Sequence, residues 1–242
     1  MHGISFDFTG RRVLVTGATS GIGAAIARAF ADAGAEVIST GTKASAADYD
    51  APPPGEYRQF LLGNAASTDA LAASLDRLDI LVNNAGATSH PEDFGEAVDV
   101  NLKGVHRLTT AVAPLLEASS HPGGGAVVSI ISMMAVFGNS IFPGYSAAKA
   151  GLVLMTKSLA QGWGQRSIRI NAVAPGPVRT PMTIRYADDP AYGPATAQRM
   201  ALNRWGEPED IAGPVLFLAS SAAAFITGEC LVASGGYMIA EA

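Results

Sequence analysis

Cysteine is almost absent from this chain: Cys230 is the only one among 242 residues. A lone thiol excludes an intramolecular disulfide framework and is typical of a reducing compartment. The four histidines, at positions 2, 90, 106 and 121, have no metal-ligand spacing. We therefore expect a cytoplasmic protein without bound metal, whose core is large enough to need no covalent staple.

Charged residues are also scarce, at 15% of the chain, and the formal net charge is −5 at pH 7. No block of Lys and Arg is present, so neither nucleic acid nor an anionic membrane surface is expected as a partner. The longest weakly polar stretch, residues 213–228, is shorter than the ~20 residues that a membrane-spanning helix needs. The first twelve residues lack the pattern of a signal peptide. A small-molecule substrate and other proteins remain as partners.

Apolar residues, by contrast, make up 48% of the chain. Short β-branched runs alternate with Ala-rich stretches of helical length, a pattern typical of βαβ units in a parallel sheet. The predicted strands are residues 12–16, 36–40, 57–62, 80–83, 126–131, 168–174 and 231–233, and the predicted helices are residues 21–33, 68–76, 95–118, 145–163 and 208–220. The strand runs are nearly unbroken, which indicates helices on both faces. The sequence therefore predicts one α/β domain over residues 1–242, built on a doubly wound parallel sheet of seven strands.

Two proline-containing segments interrupt this alternation. Residues 42–55 contain three consecutive prolines and show no helical period, so they are predicted to form a loop. Residues 180–205 form a long mixed segment with three further prolines. Because long excursions from compact domains are typical of binding loops, we predict that residues 180–205 form a substrate lid.

A glycine-rich turn follows the first predicted strand: residues 16–23 read TGATSGIG and lead directly into a helix. Gly17 allows a tight turn, Gly21 lets the backbone approach a pyrophosphate, and Gly23 permits close packing. The helix N-terminus offers free N–H groups and a positive dipole end to an anion. The strand before and the helix after distinguish this loop from an ordinary glycine-rich turn and predict a Rossmann-like dinucleotide site. The further contact residues expected in this loop are Thr19, Ser20 and Ile22.

The end of the second strand lacks the Asp or Glu that usually binds the adenosine 2′-hydroxyl. Its absence removes repulsion against a 2′-phosphate, and Thr40, Thr42 and Lys43 can all donate hydrogen bonds to one. NADP(H) is therefore favoured as the cofactor, and an acid introduced at Gly41 is expected to shift preference toward NAD(H). The alternative is that Lys43 is a solvated loop charge and that NAD(H) binds without a carboxylate partner.

Tyr145 and Lys149 lie four residues apart on a predicted helix, so their side chains share one face. A free phenol has a pKa near 10, and a neighbouring ammonium lowers it by stabilising the phenolate. Ser132 follows the fifth predicted strand, at the carboxyl edge where ligands of open α/β sheets bind. These residues predict a general acid/base centre beside the dinucleotide.

Taken together, these residues closely resemble the short-chain dehydrogenase/reductase family over essentially the whole chain. Residues 16–23 are similar to the family's coenzyme motif, and Tyr145 with Lys149 to its Tyr-x-x-x-Lys pair. Further family blocks are matched by Asn83-Asn84-Ala85-Gly86, Pro175-Gly176, residues 204–211 and residues 225–228. The resemblance is specific because the motifs occur in the family's order.

The resemblance implies a catalytic tetrad of Asn101, Ser132, Tyr145 and Lys149. Tyr145 would exchange a proton with the substrate oxygen, and Ser132 would hydrogen-bond the same oxygen. Lys149 would lower the pKa of the phenol and hold the nicotinamide ribose, and Asn101 would hold a water that links Lys149 to solvent.

The resemblance also implies cofactor contacts beyond the glycine-rich loop. Asn64 stands where the family usually has an aspartate that contacts adenine, and an amide can make similar bonds. The loop after the sixth strand would border the nicotinamide. Besides Tyr145 and Lys149, the expected contacts are Asn64, Asn83, Ala85, Gly86, Pro175, Gly176, Val178 and Thr180.

The implied function is hydride transfer between NAD(P)(H) and a ketone or secondary alcohol, with Tyr145 as general acid/base. One alternative is the subtype that reduces 3-oxoacyl groups on a carrier protein. Others are a dinucleotide-binding regulator without catalysis, and a lyase or dehalogenase on the same fold. The tetrad argues against the regulator, and the retained glycines and lysine argue against the lyase or dehalogenase.

Apolar residues on more than one face of the helix at 145–163, and in the C-terminal residues 231–242, need cover that a monomer does not supply. Relatives with this pattern commonly form tetramers through two perpendicular two-fold interfaces. The resemblance therefore implies a homotetramer, with a dimer as the alternative.

Overall fold

The computed structural model describes residues 5–88 and 93–239, which leaves His2, His90 and the end of the C-terminal tail outside the described residues. Seven strands in this part of the chain form one sheet, and every pairing is parallel. They are β1 (Arg12–Val15), β2 (Glu36–Gly41), β3 (Glu56–Gln59), β4 (Ile80–Asn83), β5 (Gly125–Ile130), β6 (Ile168–Pro175) and β7 (Cys230–Ala233). The predicted parallel α/β sheet is confirmed.

The strand order is β3-β2-β1-β4-β5-β6-β7. The chain proceeds outward in one direction from β1 to β3 and then in the other from β4 to β7. The connections therefore diverge beyond the carboxyl ends of β1 and β4, which opens a crevice there. Ligands of open α/β sheets bind at such a point.

Alternating residues of the central strands pack into two separate cores. On one face, Val13 and Val15 of β1 pack with α1 (Gly21–Asp32) and α9 (Pro208–Ala219). On the other face, Leu14 packs with residues from α2 (Ala65–Ala73) and from the helices between β4 and β6. Both faces of the sheet are covered, which explains why its strands read as apolar runs.

The helix predicted at residues 95–118 is not continuous. The structure has α3 (Phe94–Val98), a π-helical segment (Asp99–Gly104), α4 (Val105–Ala111) and α5 (Ala113–Glu117). The Nδ2 group of Asn101 donates to the carbonyl of Ala97, 2.9 Å away, and so competes for the acceptor of an ordinary helical turn. Pro114 lacks an N–H and separates α4 from α5.

Smaller corrections concern element ends. α2 begins at Ala65 rather than 68, because the side chain of Asn64 accepts from Ser67 N and caps the helix. β3 ends at Gln59 rather than 62, since its partner β2 ends at Gly41. The remaining long helix is α6 (Pro143–Trp163), which begins two residues before its predicted start.

The two proline-containing segments differ from each other. Residues 42–55 contain no α-helix and one short 3-10 helix (Ala46–Asp48), so the predicted loop is confirmed. Residues 180–205 contain two short helices, α7 (Ile184–Ala187) and α8 (Tyr192–Gln198). In the described part of the chain, no helix combines the length and hydropathy needed to span a bilayer.

Candidate active site

The glycine-rich loop joins β1 to α1 at the crevice. Gly17 and Gly21 have φ values of +65° and +52°, in the left-handed region that favours glycine. A Cβ at Gly17 would lie 2.9 Å from Ala85 Cα, and one at Gly23 would collide with Gly17 O. Ser20 is exposed at the N-cap, and within the described chain its side chain makes no capping bond. The loop thus presents backbone N–H groups at the start of a twelve-residue helix.

Asn84 holds this loop in place, although the sequence indicated it only as part of a motif. Its Nδ2 group donates to Thr16 O and Gly17 O, both at 3.0 Å. In return, Thr16 Oγ1 accepts from the backbone N–H groups of Asn84 and Ala85. The predicted contact Asn83 is instead buried, with Nδ2 donating to Thr109 Oγ1 at 2.9 Å, so only its backbone faces the crevice.

The residues predicted to recognise a 2′-phosphate have different roles in the structure. Thr40 is fully buried, and its Oγ1 accepts from Gly17 N at 3.3 Å. The prediction that Thr40 donates to a phosphate is therefore wrong, because this side chain supports the loop from inside. Thr42 and Lys43 are exposed, and Lys43 Nζ donates to Asp48 O at 2.5 Å.

Other predicted cofactor contacts lie around the same crevice. A Cβ at Gly21 would lie 3.2 Å from the Thr180 side chain, so the start of residues 180–205 lies against the glycine-rich loop. Gly176 follows β6 and lies against Ser234. A Cβ at Gly176 would be 2.7 Å from Ser234 Cα. Val178 is buried in the core on the α1 and α9 side, which leaves its backbone toward the site. The left-handed glycines, the close backbone approach and the free helix end fit a dinucleotide pyrophosphate.

Tyr145, Lys149 and Ser132 come together beside this crevice. Tyr145 and Lys149 lie one turn apart on α6, and the Lys149 Nζ atom is 5.4 Å from the centre of the Tyr145 ring. Lys149 is only 3% exposed and donates to Ile130 O at 2.8 Å. Ser132 follows β5, and its hydroxyl accepts from Met134 N at 3.1 Å and lies close enough to the Tyr145 phenol to favour its ionised form.

Burial shifts the pKa values of both catalytic side chains toward their neutral forms. It raises the pKa of Tyr145 to about 12, and the Ser132 hydrogen bond offsets only part of this effect. Burial also lowers the pKa of Lys149 to about 8. Burial is the largest influence on the Tyr145 pKa, and the lowering by Lys149 that the resemblance implies stays a prediction. The phenol is therefore a proton donor at neutral pH.

Asn101 completes the group from the π-helical segment. Its side chain is buried: Oδ1 accepts from Ala87 N at 3.1 Å, and Nδ2 donates to Ala87 O at 2.9 Å. A Cβ at Gly86 would lie 2.8 Å from Asn101 Oδ1 and 3.6 Å from Lys149 Nζ. Gly86 therefore allows Asn101 and Lys149 to share one pocket. A π-helical turn changes the carbonyl pairing of the helix, and such turns are frequent at functional sites.

Two segments that adjoin the site in the chain expose apolar side chains, called the apolar rim below, and sequence reasoning did not predict them. Val136, Phe137 and Ile141, between Ser132 and Tyr145, are exposed, as are Met182 and Ile184 in residues 180–205. Phe137 also packs edge-on against Tyr237, with ring centres 6.4 Å apart. Tyr237 in turn lies under the Arg199 guanidinium, 4.8 Å from the ring centre. Three segments distant in sequence therefore meet at the rim.

Metal chemistry has no support in the described residues. No group of three or more His, Cys, Asp or Glu side chains there is arranged to hold a metal ion. His121 is buried, and its Nε2 lies 3.0 Å from Ala219 O. This histidine belongs to the core rather than to the site.

The fold, the glycine-rich loop and the four clustered polar residues define a dinucleotide-dependent oxidoreductase. The family profile described as "Enoyl-(Acyl carrier protein) reductase" matches residues 17–238 of this chain. The chain belongs to the short-chain dehydrogenase/reductase family.

Relatives with different names match over nearly their full length. The chain is 37% identical to the 3-oxoacyl-[acyl-carrier-protein] reductase FabG of Escherichia coli, covering 96% of this chain and 100% of that protein. It is 38% identical to the D-threitol dehydrogenase of Mycolicibacterium smegmatis, covering 98% and 96%. A crystal structure of a putative 2-deoxy-d-gluconate 3-dehydrogenase from Agrobacterium tumefaciens, with bound NADP, has a TM-score of 0.84 and 38% identity, covering 98% and 99%.

Proposed function

We propose that this enzyme is an NADP(H)-dependent ketone reductase that also oxidises the corresponding secondary alcohol. The observation that carries the proposal is the cluster at the carboxyl edge of the sheet, where the half-buried Tyr145 ring lies 5.4 Å from Lys149 Nζ and next to Ser132. A neutral phenol is suited to donating a proton to a carbonyl oxygen.

Each residue of the tetrad has a distinct role in this proposal. The bound cofactor supplies the hydride. Tyr145 donates a proton to the substrate oxygen, and Ser132 hydrogen-bonds the same oxygen and stabilises its developing charge. Lys149 holds the nicotinamide ribose and stabilises the phenolate that forms. Asn101 positions the pocket wall next to Lys149 through its two bonds to Ala87.

NADP(H) is the proposed cofactor because the end of β2 carries no acid, and because a relative 38% identical to this chain has NADP bound. The pyrophosphate would lie on the N–H groups of residues 17–23. Asn64 would lie at the adenine, and Gly86, Pro175, Gly176 and Thr180 would lie toward the nicotinamide. Thr42 and Lys43 are at the exposed end of β2, toward the adenosine ribose.

The substrate is proposed to be a ketone with apolar substituents. Val136, Phe137 and Ile141 line one side of the rim, and Met182 and Ile184 belong to residues 180–205, the segment that would close over the substrate as a lid. Polyol substrates would need hydrogen-bonding groups at these positions. A second candidate is a 3-oxoacyl group on a carrier protein, favoured by the full-length match to FabG.

The same family membership also bears on how the protein assembles and where it is located. Apolar side chains exposed after α9 and on β7 need cover, and a homotetramer would cover them symmetrically. The single cysteine and the membership of this family support a cytoplasmic location.

The test follows reduced nicotinamide by absorbance with a panel of apolar ketones, polyol-derived ketones and a 3-oxoacyl thioester, each with both cofactors. We expect turnover of apolar ketones with NADPH and at least tenfold lower kcat/KM for the polyol-derived ketones. Exclusive turnover of the carrier-linked thioester would select the second candidate. No turnover of any ketone or alcohol, in a protein that binds NADPH, would overturn the proposal.

A further inference from the structure

Two tyrosines in and after the proline-containing loop surround the end of β2. Tyr49 follows the 3-10 helix of this loop, and Tyr57 lies on β3. Their hydroxyl oxygens are 3.3 Å apart, and their rings pack edge-on with centres 5.9 Å apart. Neither residue belongs to the motifs that define the family resemblance. Both are half-buried.

The Tyr49 hydroxyl connects the two chain segments that border the adenosine end of the crevice. It accepts from Lys43 N at 2.9 Å, and Thr19 lies beside it, since a Cβ at Gly41 would meet both the Tyr49 Oη atom and Thr19 Cγ2. Thr19 belongs to the glycine-rich loop. Burial, the largest influence, raises the pKa of Tyr49, but hydrogen bonding to its hydroxyl outweighs it and holds this pKa below its ordinary value. The Tyr49 hydroxyl therefore lies between the end of β2 and the glycine-rich loop.

The position of Tyr49 explains why residue 41 is glycine. A Cβ at Gly41 would collide with Tyr49 Oη and would lie 2.5 Å from Thr19 Cγ2. The Tyr49 hydroxyl therefore occupies the direction in which a side chain at the end of β2 would extend. In NAD-selective relatives of this fold class, that direction is taken by the acid that binds the ribose.

Lys43 is not free to serve as the main anion ligand in this arrangement. Its Nζ atom donates to Asp48 O and lies 4.7 Å from the centre of the Tyr49 ring. Its own carbonyl accepts from the Tyr57 hydroxyl at 2.6 Å. The ammonium thus lies against the face of the Tyr49 ring, and the Lys43 N–H donates to the Tyr49 hydroxyl.

We propose that Tyr49 determines cofactor specificity, by donating its hydroxyl hydrogen bond to the phosphate monoester on the adenosine ribose. This inference rests on the proposed NADP(H) preference. Thr19 and Thr42 complete the phosphate site. Tyr49 also excludes an acid at position 41, so one residue both binds the phosphate and prevents selection of NAD(H).

The test compares Tyr49→Phe with wild type, by fluorescence titration with NADPH, NADH and adenosine 2′,5′-bisphosphate. One hydrogen bond to a charged group is worth enough for about a tenfold or greater loss of affinity. We therefore expect Tyr49→Phe to bind NADPH and the bisphosphate at least about tenfold more weakly, with NADH binding changed by less than about twofold. Equal loss for both dinucleotides, or no loss for either, would overturn the inference.

Tyr57→Phe is the matched control, because it removes the neighbouring hydroxyl and keeps both rings. We expect it to change the ratio of NADPH to NADH affinity much less than Tyr49→Phe does. An equal change would assign selectivity to the loop as a whole and contradict a specific role for Tyr49. Melting temperatures of both variants separate binding effects from unfolding.

A substitution at Gly41 tests the steric half of the inference. Gly41→Asp alone must displace Tyr49. The change can therefore favour NAD(H), as expected from the sequence, only if Tyr49 moves. We expect the double change Gly41→Asp and Tyr49→Ala to bind NADH more tightly than Gly41→Asp alone. If the two variants bind NADH equally, Tyr49 does not restrict position 41.

The two proposals fail in different ways. A wild-type enzyme that prefers NADH would refute the proposed cofactor, whatever Tyr49→Phe does. A wild-type enzyme that prefers NADPH, with the same preference in Tyr49→Phe, would refute only the role of Tyr49.

Discussion

Burial is the dominant influence on the two central residues of the site. Tyr145 has a raised pKa and Lys149 a lowered one, and desolvation is the first cause of both shifts. The spacing of the pair was readable in the sequence, but the burial of each side chain depends on β5, α6 and the π-helical segment together. Sequence alone therefore predicted which residues meet, but not the burial that dominates their pKa values.

The first prediction concerns Tyr145. Tyr145→Phe removes the proton donor and keeps the ring, so we expect kcat to fall by about 10²-fold or more while the Kd for NADPH changes less than about twofold. Steady-state kinetics and fluorescence titration measure the two effects separately. Ser146→Ala, which removes the adjacent hydroxyl on α6, should keep most of the activity. A Tyr145→Phe enzyme with more than about a tenth of wild-type kcat would contradict the assignment.

The second prediction follows from the lowered pKa of Lys149. Between about pH 8 and pH 10.5, the unfolded chain holds a proton at Lys149 that the folded chain has lost, so wild-type stability rises with pH across this window. Below pH 8 the full cost of burying the ammonium is present. Lys149→Met removes that cost, and its melting temperature relative to wild type should be highest at pH 7 and fall toward pH 10. The change across the window is on the order of 2–3 kcal/mol.

The measurement is thermal unfolding of wild type and Lys149→Met at pH 7, 8, 9 and 10, values chosen to span the change in Lys149 protonation. The lost bond to Ile130 O affects the variant at every pH and cancels from the trend. Lys157→Met, an exposed position on the same helix, is the control. If Lys157→Met shows a pH trend of equal size, the trend reflects the loss of any lysine. If the melting-temperature difference between Lys149→Met and wild type does not change with pH, the burial effect is contradicted.

At the scale of elements, Arg169 connects β6 to the end of α9 without a carboxylate partner among the described residues. Its guanidinium donates to five carbonyls at 2.7–3.2 Å, and the side chain is buried. These acceptors belong to Gly123, Leu218, Ala219, Ser220 and Ala223. Burial lowers the pKa of Arg169, while the carbonyls at the helix C-terminus favour the cation.

The third prediction is that Arg169→Met destabilises the fold. Several buried carbonyls would lose their donor, so we expect a loss of about 3 kcal/mol or more, which corresponds to roughly 6–12 °C in melting temperature for a chain of this size. Arg169→Lys should restore only part of it, because an ammonium has three donors. Arg166→Met, at an exposed ion pair with Glu117, should cost less than about 1 kcal/mol. Equal losses for the two arginines would contradict the proposed role of Arg169.

The elements also show where sequence reasoning stops. The strands were predictable because each is an apolar run that both faces of the sheet require. The break in residues 95–118 was not, because it arises from the side-chain bond between Asn101 and Ala97 and from Pro114 within an otherwise helical pattern. The contact of Tyr49 with Gly41 was also beyond reach, since no period or motif relates a loop residue to a strand end.

At the scale of the whole molecule, apolar surface remains after the sheet and helices have packed. Phe225, between α9 and β7, is fully exposed at 104%, and Leu231 and Val232 on β7 are also exposed. Leu154, on the outer side of α6, is 67% exposed. The two groups lie on different elements, which suits two separate symmetric interfaces. Both contain residues from the segments whose exposure the sequence predicted.

The last prediction is that the protein is a homotetramer in which the surface around Phe225 forms one of two interfaces. Light scattering at micromolar concentration should give a mass about four times the chain mass of 24.7 kDa. Phe225→Glu places a charge in an apolar contact, so we expect it to reduce the assembly to dimers held by the other interface. Leu61→Glu, at an exposed position beyond β3, should leave the mass unchanged. A wild-type mass near that of one chain would refute the assembly, and a tetrameric Phe225→Glu would place the interface elsewhere.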